Sequence, residues 1–596
     1  MVRKRKWNIS DVKIQLIPVI LTYKFNLKYP YFVTFAGMSK TASKAKVTSK
    51  KPAEGLVKFE NWFIANNTKV FYLLSALSLV FSILFFNARI SEAHDDALYI
   101  EAGWRYVNEF PQYFYTQNAP LYPLFLGLLT KFFGTNLIVF KVFSVVFNVL
   151  GFVLFYKAFE KRIPFVVFIP VAVFHAINHL IMYYASMTFT EAFYFFLQGL
   201  FFFYATKTID AVNKENVQFN TQWKLWLMLG LSMFLMVTAK SSAVVVVPAI
   251  MLFFFIEKNW KALGASLASY LVFKIAYEGI VRLVWGSQNQ FSGQGKILLQ
   301  VDPYDVSKGN EDLRGFIGRF FDNCDLYLSK RFFQIIGWRD EMSMDVYGLL
   351  ALLVIVVTLL GLFLVFKQKN KPLLLFGLFS GAQALLSFII LQARWDQARI
   401  ILVCMPVMLL LIFYAFYHYT KNAGMGKLIY SAVVILVIGS VFLSSMKRGF
   451  ANLPIVTKNL KGDKYFGYTP DWQNYLRCSE WCADSLKKET MVACRKAPMS
   501  FVYGKGKKFF PIYSVIKKDS LTQQSQPDSA LAYFKKQKVT HIMVASLRID
   551  PTKNTGQIIN TVHNIIQPIM EKYPNKLKLI HTEGMTEQCY LFEITP

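Results

Sequence analysis

Long uncharged runs recur along this 596-residue chain, separated by short basic connections. They fall near 70–88, 137–157, 163–182, 188–206, 222–239, 241–257, 262–282, 347–366, 372–391, 398–418 and 428–446. A bilayer core takes about 20 apolar residues of helix to cross, so the pattern predicts about eleven transmembrane helices. Leu121 to Phe133 is apolar but too short to cross, and Asp96 to Phe110 mixes apolar with charged positions. Both read as helices lying at the membrane interface. Phe316, Phe320, Phe321, Leu328, Phe332 and Phe333 stand among charges and suit a further interfacial helix that contacts the membrane.

After Lys447 the pattern becomes that of a soluble α/β domain. Ser500-Phe501-Val502-Tyr503 and His541-Ile542-Met543-Val544 read as strands, and Leu577–Ile580 pairs with Tyr590–Glu593. Helices are expected near 471–488, 528–537 and 556–573. The fold class is therefore an α-helical polytopic membrane protein with interfacial helices and a C-terminal soluble α/β domain. Its expected divisions are a basic tail at 1–69, a membrane region at 70–446 and the soluble domain at 447–596, with no internal repeat. Residues 1–37 break short apolar pieces such as Ile14-Gln15-Leu16-Ile17 with charge, and the expected translation start is Met38. No small-residue cleavage site follows the first apolar run, so a signal peptide is not expected.

Charge supplies the orientation. The net charge is +30, and residues 1–58 carry thirteen Lys/Arg against two acids. With the N-terminus inside, the inner connections hold Lys157, Lys161, Arg162, Lys207, Lys214, Lys224, Lys258, Lys261, Lys367, Lys369, Lys371, Lys421 and Lys427. The short outer turns hold only Lys240, Arg394 and Arg399. Basic cytoplasmic loops facing anionic lipid explain this distribution, whereas nucleic-acid binding would need a basic face on a soluble domain. The odd number of spans puts residues 89–136, 283–346 and 447–596 together on the extracytoplasmic side of a plasma or inner membrane.

The chemistry concentrates just past the first span. Val70 to Phe86 is uncharged, and Asp95-Asp96 appears six residues beyond Arg89. One aspartate before a helix serves as a cap, but two neighbours point about 100° apart, which leaves one acid to face a cavity. Glu191 at the start of the fourth span either lines that cavity or sits at the interface. Lys274 and Glu278, four apart in the seventh span, read as an intramembrane ion pair. His175 and His179 share a face but lack nearby acids, so hydrogen bonding within the membrane is their expected role. Four cysteines (Cys478, Cys482, Cys494 and Cys589) lie in the C-terminal domain. An oxidising compartment permits a disulfide between Cys494 and either Cys478 or Cys482, while no compact His/Cys set completes a zinc site.

The acid pair has a distinctive context: Asp95-Asp96-Ala97-Leu98-Tyr99, then Gln117-Asn118-Ala119-Pro120-Leu121-Tyr122, then Lys131-Phe132-Phe133-Gly134. This resembles the C-type (GT-C) glycosyltransferases that use polyprenyl-phosphate sugars, especially the aminoarabinose transferases and protein O-mannosyltransferases. Weaker likeness runs through Ser186–Glu191, Val237–Lys240 and Ala393–Arg399, so the resemblance spans roughly residues 70–446. It implies transfer of a sugar from a polyprenyl-phosphate donor to an extracytoplasmic acceptor, whether lipid, glycan or protein, with inversion. Asp95 aligns with the catalytic acid and Asp96 stands where a glutamate is commoner. Lys240, Arg394 and Arg399 become the candidates for the donor phosphate, because arginine forks match phosphate oxygens. Gln117, Tyr122 and Glu191 become cavity candidates. The usual Glu-Lys of the turn is replaced by Gln117-Asn118, so the cofactor stays open, a divalent metal ion being the one candidate. Two other readings fit many spans with buried charges: a transporter or flippase of lipid-linked sugars, and a non-catalytic assembly factor for surface glycans.

Overall fold

The computed structural model describes residues 54–596 except 216, 287–291, 304, 340–342, 344, 422–424, 513–523, 549–558, 560 and 596. The expected Met38 start and most of the basic tail lie outside the described residues. Each of the eleven apolar segments falls on helix. Among the described residues, seven helices are long and apolar enough to cross a membrane: Leu56–Leu84, Leu137–Phe159, Phe165–Ser186, Phe219–Ala239, Gly348–Lys367, Lys371–Ile390 and Gly426–Leu460. The segments near 188–206, 241–257, 262–282 and 398–418 form the helices Thr190–Glu215, Val246–Ile256, Trp260–Trp285 and Met405–Thr420. These are shorter or carry more charge, so length and composition establish seven spans and not the full eleven. The helices turn leucine, isoleucine and phenylalanine outward; Leu349, Ile435 and Leu443 are exposed, as surfaces facing lipid tails must be. The protein is a multi-pass integral membrane protein.

Local chemistry sets where the helices start and break. Asn136 caps the Leu137–Phe159 helix by accepting from the Ile138 and Val139 amides. Asn178 interrupts the third apolar segment, and its Oδ1 accepts from the Leu180 and Ile181 amides to restart the helix at His179. Its Nδ2 donates to the Ile335 carbonyl at 2.7 Å, fastening this break to the loop after Trp285. Lys274 and Glu278 form the expected ion pair at 2.5 Å. His175 packs among Phe152, Phe155 and Phe195.

The connections sort to the two ends of the bundle. At one end Arg162 pairs with Asp210 at 2.5 Å, Lys371 pairs with Glu257 at 2.7 Å, and Asn370 donates to the Arg162 carbonyl. These join connections expected on one side. At the other end Arg319 donates to the Leu298, Gln300 and Ile390 carbonyls, and Asn323 donates to those of Phe388 and Leu391. Trp285 donates to the Tyr113 carbonyl at 3.0 Å. The first loop, the loop after Trp285 and the turn after Ile390 thus form one layer. Within it, the Asp95–Asn108 and Leu121–Phe133 helices cross where Gly103 meets Gly127, so closely that a side chain on either would strike the other's backbone within 2.7 Å.

The last long helix runs on to Leu460, past Lys447. Beyond it a five-stranded sheet has the order β2-β1-β3-β5-β4. Its strands are β1 (Met491–Cys494), β2 (Phe509–Pro511), β3 (Val539–Val544), β4 (Leu577–Glu583) and β5 (Cys589–Ile594). β1 pairs in parallel with β2 and β3, and β5 pairs antiparallel with β3 and β4, Met543 lying opposite Leu591. The expected strand at 500–503 is instead the helix Ala497–Tyr503. Pro498 at its first turn favours helix, and burial on every side gives it the continuous apolar run of a core strand. No disulfide joins Cys494 to Cys478 or Cys482; all six cysteines are free and buried, with the Cys494 thiol 3.5 Å from the Ser500 hydroxyl.

Because Gly103 has no room for a side chain, Gly103→Val should separate the two interfacial helices and cost about 1–3 kcal/mol. Thermal unfolding of the purified protein in lipid nanodiscs measures this as a lowered midpoint, while Gly279→Ala, where a methyl meets open space, should change it little.

Candidate active site

The loop from Arg89 enters the Asp95–Asn108 helix through His94, whose backbone is left-handed at φ 64°. Asp96 is fully buried and accepts from the Ser91 amide at 2.9 Å, the Ser91 hydroxyl at 3.0 Å and the Ala97 amide at 3.1 Å. Those bonds fold residues 91–96 into a closed turn. Burial holds the Asp96 carboxyl above the usual range, against the opposing pull of the Lys141 ammonium. Lys141 itself donates to the Arg89 carbonyl. Asp96 is therefore committed to shaping the helix start.

Asp95, one position earlier, points the other way and remains partly exposed, with its Oδ2 2.6 Å from Arg399 Nη2. Arg399 also donates through Nε to Gln397 Oε1 at 2.6 Å, and its guanidinium lies over the Phe189 ring with 5.2 Å to the centroid. Glu191, almost wholly buried, pairs with Lys240 at 3.0 Å through Oε1. Its Oε2 has no hydrogen-bond partner among the described residues. Arg399 interacts electrostatically with both Asp95 and Glu191, so the two carboxylates flank one guanidinium. Four of the residues picked from the sequence thus meet in one charged cluster.

The remaining candidates lie elsewhere. Arg394 is half exposed and pairs with Asp302 at 2.6 Å, on the loop after Trp285. Tyr122 is buried edge-on against Tyr99, their ring centroids 5.7 Å apart, and Asn118 reaches the Tyr99 hydroxyl at 3.4 Å. Gln117 is exposed. A divalent metal is poorly served here. Asp95 and Glu191 are each paired with a cation, and no group of three or more His, Cys, Asp or Glu side chains fit to hold a metal occurs among the described residues.

Three cations that hold this cluster in place were missed in the sequence. Asp396, left-handed at φ 35°, is gripped by Lys330 and Arg331 at 2.6 Å each, which fixes the turn that delivers Arg399. The adjacent basic pair was visible, but it sits within the run of aromatics assigned to membrane contact. The third is Lys496, which enters from the C-terminal domain and donates to the Glu92 carbonyl at 2.7 Å. Burial and neighbouring Arg495 push this lysine down to about 8. Burial, with Lys496 and Arg495 alongside, pushes His94 down to about 3, so its ring is neutral. The same domain docks through Tyr468, whose hydroxyl accepts from the Ile90 amide and donates to its carbonyl. Lys508 pairs with Glu109 at 2.7 Å, and Trp104 meets Phe501 edge-on with 5.2 Å between centroids.

Asp95, Glu191, Lys240 and Arg399 thus form a charged cluster at the end of the helical bundle that the C-terminal domain contacts. The structure is similar to that of ArnT from Cupriavidus metallidurans bound to undecaprenyl phosphate, with a TM-score of 0.51 and 10% identity over 87% of this chain and 97% of that one. The apo form of the same protein gives 0.52 and 11% identity, over 88% and 98%. The archaeal oligosaccharyltransferase AglB from Archaeoglobus fulgidus, in complex with an inhibitory peptide and a dolichol-phosphate, gives 0.50 and 12% identity, over 81% and 70%. No protein-family model and no curated protein sequence matches the chain. The chain therefore shares its fold with ArnT and AglB.

Removing the Asp96 carboxylate strands the Ser91 amide and takes a buried counter-charge from Lys141. Asp96→Ala should therefore cost about 3 kcal/mol. Asp95→Asn, at a partly exposed ion pair, should cost about 1 kcal/mol or less. Unfolding midpoints of the two variants in nanodiscs test the contrast.

Proposed function

We propose that this protein is a membrane glycosyltransferase that moves a sugar from a polyprenyl-phosphate donor to an extracytoplasmic acceptor, with Asp95 as general base and inversion at the anomeric carbon. The observation that carries this reading is the Arg399–Asp95 pair, set beside buried Glu191–Lys240 in a GT-C fold. ArnT and AglB are each solved with a polyprenyl or dolichol phosphate, which supports a donor of that class. By the positive-inside rule the end carrying Arg162 and Lys371 is cytoplasmic, and the Asp95 end faces outward with the C-terminal domain.

In this mechanism the acceptor hydroxyl attacks the anomeric carbon while Asp95 takes its proton. The bond from that carbon to the phosphate oxygen breaks, and the departing lipid phosphate gains charge. Arg399 and Lys240 stabilise that charge in surroundings shielded from water. While it is paired with Arg399, the Asp95 carboxylate has one oxygen occupied. An arriving phosphate competes with Asp95 for the Arg399 fork, and so frees the carboxylate when the donor is in place. Glu191, whose second oxygen lacks a hydrogen-bond partner among the described residues, keeps Arg399 and Lys240 oriented and lines the cavity. Arg394, paired with Asp302 on the rim, guides the donor headgroup inward. No step passes through a metal.

General bases contribute about 10²–10⁴-fold to rate, so Asp95→Asn should lower turnover by at least about two orders of magnitude. The assay follows polyprenyl phosphate released from a polyprenyl-phosphate sugar by the purified protein. Turnover equal to that of the unaltered protein would remove Asp95 from the mechanism.

A further inference from the structure

Beside the 393–399 turn lies a cavity of about 460 Å³ whose apolar lining includes Phe85, Leu180 and Tyr183. Its polar lining is Arg331, Arg448, His179, Asp396, Gln397 and Asn452. Arg331 and Arg448 line it against the single carboxylate of Asp396, which Arg331 and nearby Lys330 hold, so the charges around the cavity sum to a positive excess. His179 is almost fully buried; its Nδ1 lies 3.5 Å from the Ser444 hydroxyl, while its Nε2 has no hydrogen-bond partner among the described residues. A buried nitrogen without a partner costs free energy unless something in the cavity meets it.

We propose that this cavity is a second anion-binding site, which takes the phosphate of a hydroxylated lipid headgroup other than the donor. Guanidinium groups match phosphate oxygens, and the His179 nitrogen supplies one more polar contact. A phosphate alone leaves much of the space empty. The remaining polar lining (the Asp396 carboxylate, the Gln397 amide and Asn452 Oδ1) suits hydroxyls, because the Asn452 nitrogen already donates to the Leu84 and Phe86 carbonyls. The apolar lining is Phe85, just past the Glu54–Leu84 helix, with Leu180 and Tyr183 of the His179–Ser186 helix, and acyl chains would run along it. Gln397 is the bridge to the chemistry: it lines this cavity and accepts from Arg399, which holds Asp95. A headgroup seated here would place its hydroxyls toward the proposed base, so the site belongs to the acceptor. That last assignment rests on the proposed transfer reaction; binding of the headgroup does not.

Native mass spectrometry of the full-length protein tests this with no sugar donor present. Phosphatidylglycerol is the probe, phosphatidylcholine the uncharged control and geranylgeranyl phosphate the donor-lipid probe. The unaltered protein should retain phosphatidylglycerol over phosphatidylcholine. Arg448→Gln should reduce that retention about ten-fold, the loss expected when a charge-assisted hydrogen bond is removed, while binding of geranylgeranyl phosphate stays the same. His179→Leu should reduce it in the same direction, which keeps the test sound if either variant folds poorly. Unchanged phosphatidylglycerol retention in folded variants would overturn the proposal. So would selective loss of geranylgeranyl phosphate, which would give the cavity to the donor. Failure of the transferase assay with these lipid results intact would refute the reaction and leave the anion site standing.

Discussion

The ion pair between Asp95 and Arg399 joins residues 304 positions apart, and it constrains everything around it. A carboxylate and a guanidinium at a membrane face lose hydration, and they remain charged only if their geometry is held for them. The protein holds each side separately. Asp96 locks the helix start that carries Asp95, and Lys330 with Arg331 clamps Asp396 in the turn that carries Arg399. In the proposed mechanism the pair opens between these two clamps when a competing anion arrives.

The same constraint explains the crowding of polar backbone at this end of the bundle. Non-helical chain near a membrane needs every amide and carbonyl satisfied within the protein. Arg319, Asn323 and Asn178 supply those bonds, each reaching carbonyls at the ends of neighbouring helices. The C-terminal domain closes the arrangement from above through Tyr468 and Lys496, both bonded to the loop just before Asp95.

Much of this was legible in the sequence because hydrophobic periodicity reports helices directly. All eleven apolar segments lie on helix, and β3, β4 and β5 lie where alternation placed them. The helix at Ala497–Tyr503 was misread because a short segment buried on all sides carries no period to separate helix from strand. In the site, the acid pair and its inequality were readable, since adjacent residues on a helix cannot share one direction. The pairing of Glu191 with Lys240 was not, nor was the service of Lys330, Arg331 and Lys496. Those depend on which loops meet in space, and a charge within an aromatic run looks the same whether it faces lipid headgroups or a buried carboxylate. Arg394 and Arg399 illustrate the limit: five residues apart in one turn, they go to different carboxylates, Asp302 and Asp95.

If donor phosphate and Asp95 compete for Arg399, as proposed, binding and base release are one event. The most direct measurement is the Kd for a polyprenyl-phosphate sugar, by titration of the purified protein in nanodiscs, compared between the unaltered chain and Asp95→Asn. Removing the competing carboxylate charge should leave the donor bound as tightly or more tightly, even though turnover is lost. Donor binding at least ten-fold weaker in Asp95→Asn would contradict the account, because Asp95 would then be holding the donor and not competing with it.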